Sequence, residues 1–197
     1  MRGSKLYFLF QRLDDPIKKK DSGWNDFGGK KSDIQTETTV QTETTPETAG
    51  REFSEETSCL FYIKETNPVS TIPDLYHSLT DNPALIYSEE IITELKTLIP
   101  LSKNFYAERI TNYADPLYVS SKETYISFFV KVQYIPVEDL PRAEDIHINY
   151  PDKYLRTCKW FSIDEILSMN EKEFHKRLQI TKIIQRIKNL YMKGVFE

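Results

Sequence analysis

The sequence is poor in cysteine and contains no long apolar run, and both absences limit what the protein can be. Only two of its 197 residues are cysteines, Cys59 and Cys158, and each lies in an apolar context. Buried free thiols explain them more simply than a disulfide, so we expect a reducing, cytoplasmic location. No apolar stretch approaches the length that spans a bilayer, and the N-terminus lacks a signal-peptide pattern, so we expect no membrane partner.

Several catalytic motifs are absent as well. The chain has no P-loop, no Cys-x-x-Cys zinc pattern and no Gly-x-Ser-x-Gly nucleophile turn. Its three histidines, His77, His147 and His175, do not have the spacing of metal ligands. The net charge of −4 predicts no general affinity for nucleic acid through bulk charge. The strongest remaining signal is a group of glutamates that follows residue 50.

The stretch from Thr45 to Thr57 predicts a helix with three carboxylates on one face. Thr45 is a good N-cap, and the proline that follows it fits the first helical turn. Glu52, Glu55 and Glu56 are spaced i, i+3 and i+4, which places them within an arc of roughly 100°. Like charges this close destabilise an isolated helix, whereas hard divalent cations prefer carboxylate oxygens. A solvated acidic face is the alternative that this cluster alone leaves open.

A glycine pair upstream favours the metal-binding interpretation. Residues 24–30 read WNDFGGK, Glu43 follows, and after seven more residues the positions 51–57 read REFSEET. Together they resemble the signature of the Nudix hydrolase family. That signature reads Gly, five residues, Glu, seven residues and then Arg-Glu-U-x-Glu-Glu-x-Gly-U, where U is apolar. The match is complete over residues 43–57 and weaker elsewhere.

The sequence departs from the signature in two places. Thirteen residues instead of five separate Gly29 from Glu43. Ser58 stands where the signature has glycine, and we expect the helix still to end in a left-handed turn near this position.

A tandem repeat accounts for most of the extra length. IQTETT at 34–39 is followed directly by VQTETT at 40–45. Such a Thr/Glu tract is poorly suited to packing, so we interpret residues 30–45 as an enlarged loop. Glu37 duplicates Glu43, and the spacing to the downstream motif favours Glu43 as the signature residue.

Apolar patterns predict the other elements. We predict strands over residues 6–10, 59–63 and 124–135, because these are apolar runs rich in β-branched or aromatic residues. Amphipathic spacing predicts helices over 88–98 and about 171–192. The other faces of the last helix are basic, which suits an ordinary exposed face or contact with a polyanion.

Residues 65–116 look like an insertion with its own tyrosines and two nearby cations, Lys103 and Arg109. These side chains either contact substrate or are ordinary core aromatics and surface cations. Further along, Ser162 and Glu165 have the spacing of a capping box at the start of another helix.

The Nudix resemblance implies one α/β domain over residues 1–197, an α/β/α sandwich with a mixed sheet and a helical insertion. It implies a divalent cofactor, Mg²⁺ or Mn²⁺. The implied metal ligands are the carbonyl of Gly29 and the carboxylates of Glu52, Glu55 and Glu56.

The resemblance also implies catalytic residues. Glu52 and Glu55 would act on the attacking water, and Arg51 would orient the glutamates by charge-assisted hydrogen bonds. A glutamate in a later loop, Glu144, is an additional candidate for the general base.

The implied reaction is hydrolysis of a phosphoanhydride bond in a nucleoside diphosphate linked to another group, including a capped RNA 5′ end. Two alternatives stay open. One is a diphosphoinositol polyphosphate phosphohydrolase, and the other is a ligand-binding module that has the fold but no turnover.

Overall fold

The described part of the computed structural model comprises residues 6–13, 23–35, 40–66, 89–114, 116–120, 125–136 and 156–196. The strands are β1 (Tyr7–Leu13), β2 (Trp24–Asn25), β3 (Asp33–Gln35), β4 (Val40–Thr42), β5 (Pro116–Val119), β6 (Ile126–Phe128) and β7 (Arg156–Ser162). The α-helices are α1 (Thr45–Glu56), α2 (Leu60–Thr66), α3 (Glu89–Tyr113), α4 (Ile163–Ser168), α5 (Lys176–Thr181) and α6 (Ile183–Met192). A 3₁₀ turn, Glu171–Glu173, lies between α4 and α5. The chain thus belongs to the mixed α/β class.

The central sheet has the strand order β2-β1-β7, and β1 is the strand predicted over 6–10. Both pairings are antiparallel, with Phe8 opposite Phe161 and Leu9 opposite Trp160. The hairpins β3-β4 and β5-β6 are antiparallel too. The pairings between the described strands are therefore all antiparallel, whereas a mixed sheet was predicted. An isolated bridge, between Trp24 and Phe174, is parallel.

Helices cover both faces of this sheet, because side chains along a strand point alternately to its two sides. Phe10 and Phe161 pack on one side against a set of buried residues from α4, α5 and α6. Leu9 and Trp160 pack on the other side, against Phe61 and the buried aromatic residues of α1 and α3. The acidic helix α1 therefore lies over the sheet on the side opposite the C-terminal helices.

The predicted strand over 59–63 is wrong, because Leu60–Thr66 is the helix α2. Ser58 and Cys59 both have left-handed backbones, with φ of 55° and 56°, which turn the chain between α1 and α2. Leu60, Phe61 and Ile63 are buried. A short, fully buried apolar run has the same composition in a strand or a helix, so periodicity did not distinguish them.

The left-handed conformation predicted at Ser58 is confirmed, and it leads to a testable effect. We expect Ser58→Gly to stabilise the protein by up to about 1 kcal/mol, since glycine adopts this conformation without strain. The larger conformational freedom of glycine in the unfolded chain offsets part of this gain. Denaturation midpoints measure it, with Lys182→Gly as the matched control, because Lys182 is exposed and has φ of 56°.

Ser58 is buried, whereas Lys182 is not. If Ser58→Gly destabilises while Lys182→Gly stabilises, the serine side chain contributes more than the strain removed, and the prediction for Ser58 is wrong.

The predicted strand over 124–135 is wrong over most of its length, because among the described residues of this run only Ile126–Phe128 forms a strand, which pairs with β5. Residues 129–136, which follow it, form no ladder with the described strands. Their side chains still pack on α2 and α3, where Ile135 is fully buried. β-branched and aromatic composition indicated burial here, and the backbone pairing depended on which neighbours were available.

The helix predicted over 88–98 is present and continues to Tyr113, through Pro100. Its middle crosses α1 closely. A Cβ on Gly50 would lie 2.6 Å from the carbonyl oxygen of Lys103, and the hydroxyls of Ser54 and Ser102 are 2.6 Å apart. The predicted insertion therefore supplies a helix of the core.

The predicted enlarged loop contains a short hairpin. β3 pairs with β4, with Asp33 opposite Thr42. At its base, the Glu43 backbone N–H donates to the Ser32 carbonyl at 3.0 Å, and the Ser32 N–H donates to the Glu43 carboxylate at 3.2 Å. β-branched residues in the repeat suit strands. The hairpin places Glu43 just ahead of α1.

Deleting one repeat, residues 34–39, tests how much this hairpin contributes. Ser32 and Glu43 would then be joined by a four-residue turn, and Glu43 would keep its spacing to Arg51. Because loop-closure entropy depends on length only logarithmically, we expect the free energy of unfolding to change by less than about 1 kcal/mol. Urea denaturation measures it, and loss of folding would show that the hairpin is required structure.

The C-terminal region also differs in part from its prediction. The capping box at Ser162 and Glu165 is confirmed: the Ser162 hydroxyl accepts from the Glu165 N–H at 3.2 Å, and the Glu165 carboxylate accepts from the Ser162 N–H at 2.7 Å. The single helix over 171–192 is instead a 3₁₀ turn followed by α5 and α6, which meet at the left-handed Lys182.

Candidate active site

The helix α1 begins one residue earlier than predicted, because its N-cap is Thr44 rather than Thr45. The Thr44 hydroxyl accepts from the Glu47 N–H at 3.3 Å, and the Glu47 carboxylate accepts from the Thr44 N–H at 2.8 Å. The hydrogen bond from the Thr44 backbone lowers the pKa of Glu47. This reciprocal cap defines the start of α1, about two turns before the acidic face.

Arg51 is the centre of the acidic turn. Its guanidinium bonds Glu43 at 3.0 Å, Glu52 at 2.8 Å and Glu55 at 2.9 Å, and it donates to the Lys30 carbonyl at 2.9 Å. Burial opposes the charge on Arg51, but the surrounding carboxylates outweigh burial and raise its pKa. The three like charges on α1 are thus partly compensated by a fourth residue of the same helix.

Glu43 is the most deeply buried of the carboxylates around Arg51, at 3% exposure. Besides Arg51, it contacts the ammonium of Lys103 at 3.2 Å and accepts from the Thr48 hydroxyl at 3.3 Å. Burial alone would raise its pKa, but the hydrogen bonds from Ser32, Lys103 and Arg51 lower it. Glu43 therefore fills the place beside Arg51, and its duplicate in the repeat, residue 37, lies outside the described residues.

The Gly28–Gly29 turn lies directly on the acidic turn of α1. The Gly28 N–H donates to Glu56 Oε2 at 3.1 Å from a backbone with φ of 151°, which other residues rarely adopt. A Cβ on Gly29 would lie 2.1 Å from Glu52 Oε1. Gly28 supplies the unusual backbone conformation of this turn, and Gly29 leaves room for the Glu52 carboxylate, so the turn brings Gly29, Glu52 and Glu56 together in one site.

Glu56 is the innermost glutamate of the three and is 6% exposed. The Gln11 side chain on β1 donates to Glu56 Oε2 at 2.6 Å and to the Asp26 carbonyl at 2.8 Å. Gln11 thereby ties the carboxylate of α1 to the central sheet and to the glycine turn. Gln11 was not among the predicted site residues, because a lone polar residue at the end of an apolar run has no distinctive signal.

Asp26 is the centre of a second cluster of charged and polar side chains, next to the contacts of Glu56. Its carboxylate accepts from Arg177 of α5 at 2.8 Å, from the Tyr125 hydroxyl, and from the Ser127 hydroxyl at 3.3 Å. Burial and the neighbouring Asp26 charge raise the pKa of Tyr125. Burial opposes the charge on Arg177, but Asp26, Tyr125 and Glu56 together raise its pKa. No motif spacing connects these residues, so only the fold reveals the cluster.

The described residues do not hold three or more His, Cys, Asp or Glu side chains converged as metal ligands. Glu52 and Glu55 face Arg51, and Glu56 faces Gln11 and Gly28. The later-loop candidate Glu144 lies outside the described residues.

A separate cleft of about 400 Å³ lies between the end of α3 and residues 129–133. Its lining includes Arg109, which pairs with Glu65 at 2.5 Å and lies over the Phe105 ring. The two cations of the predicted insertion therefore lie in different parts of the structure. Lys103 is at the acidic turn and Arg109 is in the cleft.

Comparison with known proteins finds a relative in a virus. An uncharacterized protein of Acanthamoeba polyphaga mimivirus is 54% identical over 204 residues, which covers 99% of this chain. This chain spans 64% of the length of that viral protein. No protein-family model matches the chain. No solved structure matches it either.

The structure also bears on the cysteines and on membrane-spanning segments, which the sequence addressed through composition. Cys59 and Cys158 are both buried cysteine thiols, and burial raises the pKa of the Cys59 thiol to about 12. Among the helices that the structure describes, none is both long enough and apolar enough to cross a membrane.

Proposed function

We propose that this protein is a metal-dependent Nudix hydrolase that cleaves a phosphoanhydride bond in a nucleoside diphosphate linked to another group. One observation carries the proposal: the Gly28–Gly29 turn lies against the acidic turn of α1. Two short motifs that are distant in sequence thus form one site, in the combination that the Nudix signature requires. Helices on both faces of the central sheet support a Nudix-type α/β/α sandwich.

The donor set suits Mg²⁺ or Mn²⁺, because it consists of hard carboxylate and carbonyl oxygens. We propose Glu52, Glu55, Glu56 and the Gly29 carbonyl as its ligands. The side chains of Glu52 and Glu55 are 16% and 23% exposed, so a cation can reach them from solvent. A bound divalent cation would neutralise phosphate oxygens and make a water more acidic.

The residues around the ligands have separate tasks in this proposal. Arg51 holds Glu52 and Glu55 on one guanidinium, so the two carboxylates keep a common orientation. Gln11 and Gly28 hold Glu56 in place. Glu52 or Glu55 takes the proton from the attacking water, since a carboxylate with solvent access can accept it and release it again.

A substrate panel assayed with Mg²⁺ and with Mn²⁺ tests the proposal. The panel contains a nucleoside diphosphate sugar, a dinucleoside polyphosphate, a capped RNA oligonucleotide and a diphosphoinositol polyphosphate. We expect hydrolysis of a nucleotide member, dependent on the metal and abolished by chelator. Turnover of the inositol compound alone would replace the proposed substrate class, and tight binding without turnover of any member would make the protein a ligand-binding module.

A further inference from the structure

The C-terminal segment has a charge opposite to that of the whole chain. Residues 174–196 contain six lysines and arginines and no aspartate or glutamate, although the chain has a net charge of −4. The six are Lys176, Arg177, Lys182, Arg186, Lys188 and Lys193. An asymmetry of this size in an acidic protein indicates a polyanionic partner for that segment.

The fold exposes most of this charge on one side of the protein. α5 and α6 bury Leu178, Ile184 and Ile187 against the sheet, which directs the basic residues outward. Lys176, Lys182, Arg186 and Lys193 are exposed. Lys188 turns toward α4, where its ammonium donates to the Leu167 carbonyl at 3.3 Å.

Two arginines flank a pair of tyrosines along the side that faces β5 and β6. The Arg177 guanidinium lies 5.1 Å from the centre of the Tyr125 ring. The centres of the Tyr125 and Tyr118 rings are 6.0 Å apart. The Arg186 guanidinium lies 6.0 Å from the centre of the Tyr118 ring. Arg177 also binds Asp26, two residues before the glycine turn. This arginine–tyrosine row therefore runs from the candidate active site along the basic face.

We propose that this basic face, with its arginine–tyrosine row, binds the ribose-phosphate chain of single-stranded RNA whose 5′ end occupies the candidate active site. The inference rests on the proposed function and names the group linked to the nucleoside diphosphate as an RNA chain. Cations along a track attract successive phosphates, and aromatic rings beside them stack on bases without sequence preference.

An anionic membrane would match the charge but not the position of the row. Ile180, Met192 and Val195 are the exposed large apolar residues among the described residues of this segment, and a few exposed apolar side chains are ordinary on a protein surface. The row itself consists of arginine and tyrosine and begins at Asp26, next to the proposed reaction centre. RNA uses both features, whereas a membrane surface requires neither of them.

Binding of a fluorescein-labelled, uncapped single-stranded RNA of about 20 nucleotides tests the proposal by fluorescence anisotropy. Lys176→Glu/Arg186→Glu is compared with Lys96→Glu/Lys131→Glu, which makes the same charge change at exposed residues on α3 and the 129–133 segment. We expect the first pair to weaken binding at least about tenfold at low salt. Its slope of log affinity against log salt should fall by about 1 to 2. The control pair should change affinity much less.

Other outcomes would overturn the proposal. Equal weakening by both pairs would mean that only bulk charge acts, and unchanged binding with the first pair would mean that the RNA lies elsewhere. Phosphatidylserine vesicles are measured in parallel, and loss of vesicle binding without loss of RNA binding would make the face a membrane surface. The assay needs no turnover, so a failure of the proposed hydrolysis leaves its result interpretable, and hydrolysis of a free nucleotide by the first pair tests that function separately.

Discussion

Replacing Glu56 with glutamine is expected to lower metal-dependent hydrolysis by about 10²- to 10⁴-fold without unfolding the protein. Glutamine has the same shape, and its carbonyl oxygen can accept from the Gly28 N–H and the Gln11 amide, as the carboxylate does. The substitution removes a negative charge from the proposed metal site and leaves these hydrogen bonds possible. Steady-state rates with the best substrate of the panel measure the effect.

Glu108→Gln is the matched control, because Glu108 is an exposed glutamate on α3. It should leave the rate unchanged. Added Mg²⁺ should raise the melting temperature of the wild type and of the Glu108 variant, and it should do so less for Glu56→Gln, since a ligand that binds more weakly stabilises the folded state less. Full activity in Glu56→Gln, or an unfolded variant, would refute the assignment of Glu56 as a ligand.

Replacing Arg51 with methionine should destabilise the protein by about 2 to 4 kcal/mol at pH 7. The change leaves three carboxylates crowded together without the cation that now binds them all. Glu43 suffers most, because it is buried and keeps only Lys103 as a charged partner. Arg109→Met is a suitable control, since Arg109 pairs with one carboxylate and is more exposed, so a smaller loss is expected. Chemical denaturation measures both losses.

The pH dependence of this loss has a definite sign. Hydrogen bonds and ion pairs lower the pKa of Glu43 in the folded protein, so the stability that they add is present above the ordinary value near 4.5. That stability disappears as the pH falls through the lowered value, because the carboxylate becomes protonated. The difference between wild type and Arg51→Met should therefore be largest at neutral pH and shrink below about pH 4.5. A difference that does not depend on pH would show that Arg51 stabilises by packing.

Added divalent cation distinguishes two roles of Arg51, compensation of the carboxylate charge and positioning of the carboxylates. If Glu52 and Glu55 bind metal, Mg²⁺ should raise the melting temperature of Arg51→Met more than that of the wild type, because the cation replaces the missing positive charge. The hydrolysis rate of the variant should stay low even with saturating Mg²⁺, since the two carboxylates lose their common orientation. An unaltered rate would exclude a positioning role for Arg51.

Local signals in the sequence predicted the elements that depend on neighbouring residues. The helix over 45–56, the capping box at Ser162 and the left-handed turn at Ser58 each depend on residues within one or two turns of the chain. Hydrogen bonds between a side chain and a nearby backbone, and the sterics of φ, act over these short separations. The cap itself was misplaced by one residue, because Thr44 and Thr45 are equally good caps and only the geometry distinguishes them.

Elements that depend on distant partners were predicted less well. The apolar run at 59–63 was assigned to a strand, and the run at 124–135 was assigned to one long strand. In both, composition reported burial correctly, but pairing requires a neighbouring strand in the right register. The structure places the first run between α1 and α3 as a helix and gives the second run a pairing partner only over Ile126–Phe128.

The order of the functional groups follows from the sequence alone: a glycine pair, Glu43, and then Arg51 with three glutamates at helical spacing. Helical periodicity is enough to place those carboxylates on one face. What surrounds them depends on the tertiary fold. Gln11, Lys103 and Arg177 come from β1, α3 and α5, and their contacts exist because two hydrophobic layers bring those elements to the two faces of one sheet. Such contacts depend on how the whole chain packs, and no spacing in the sequence encodes them.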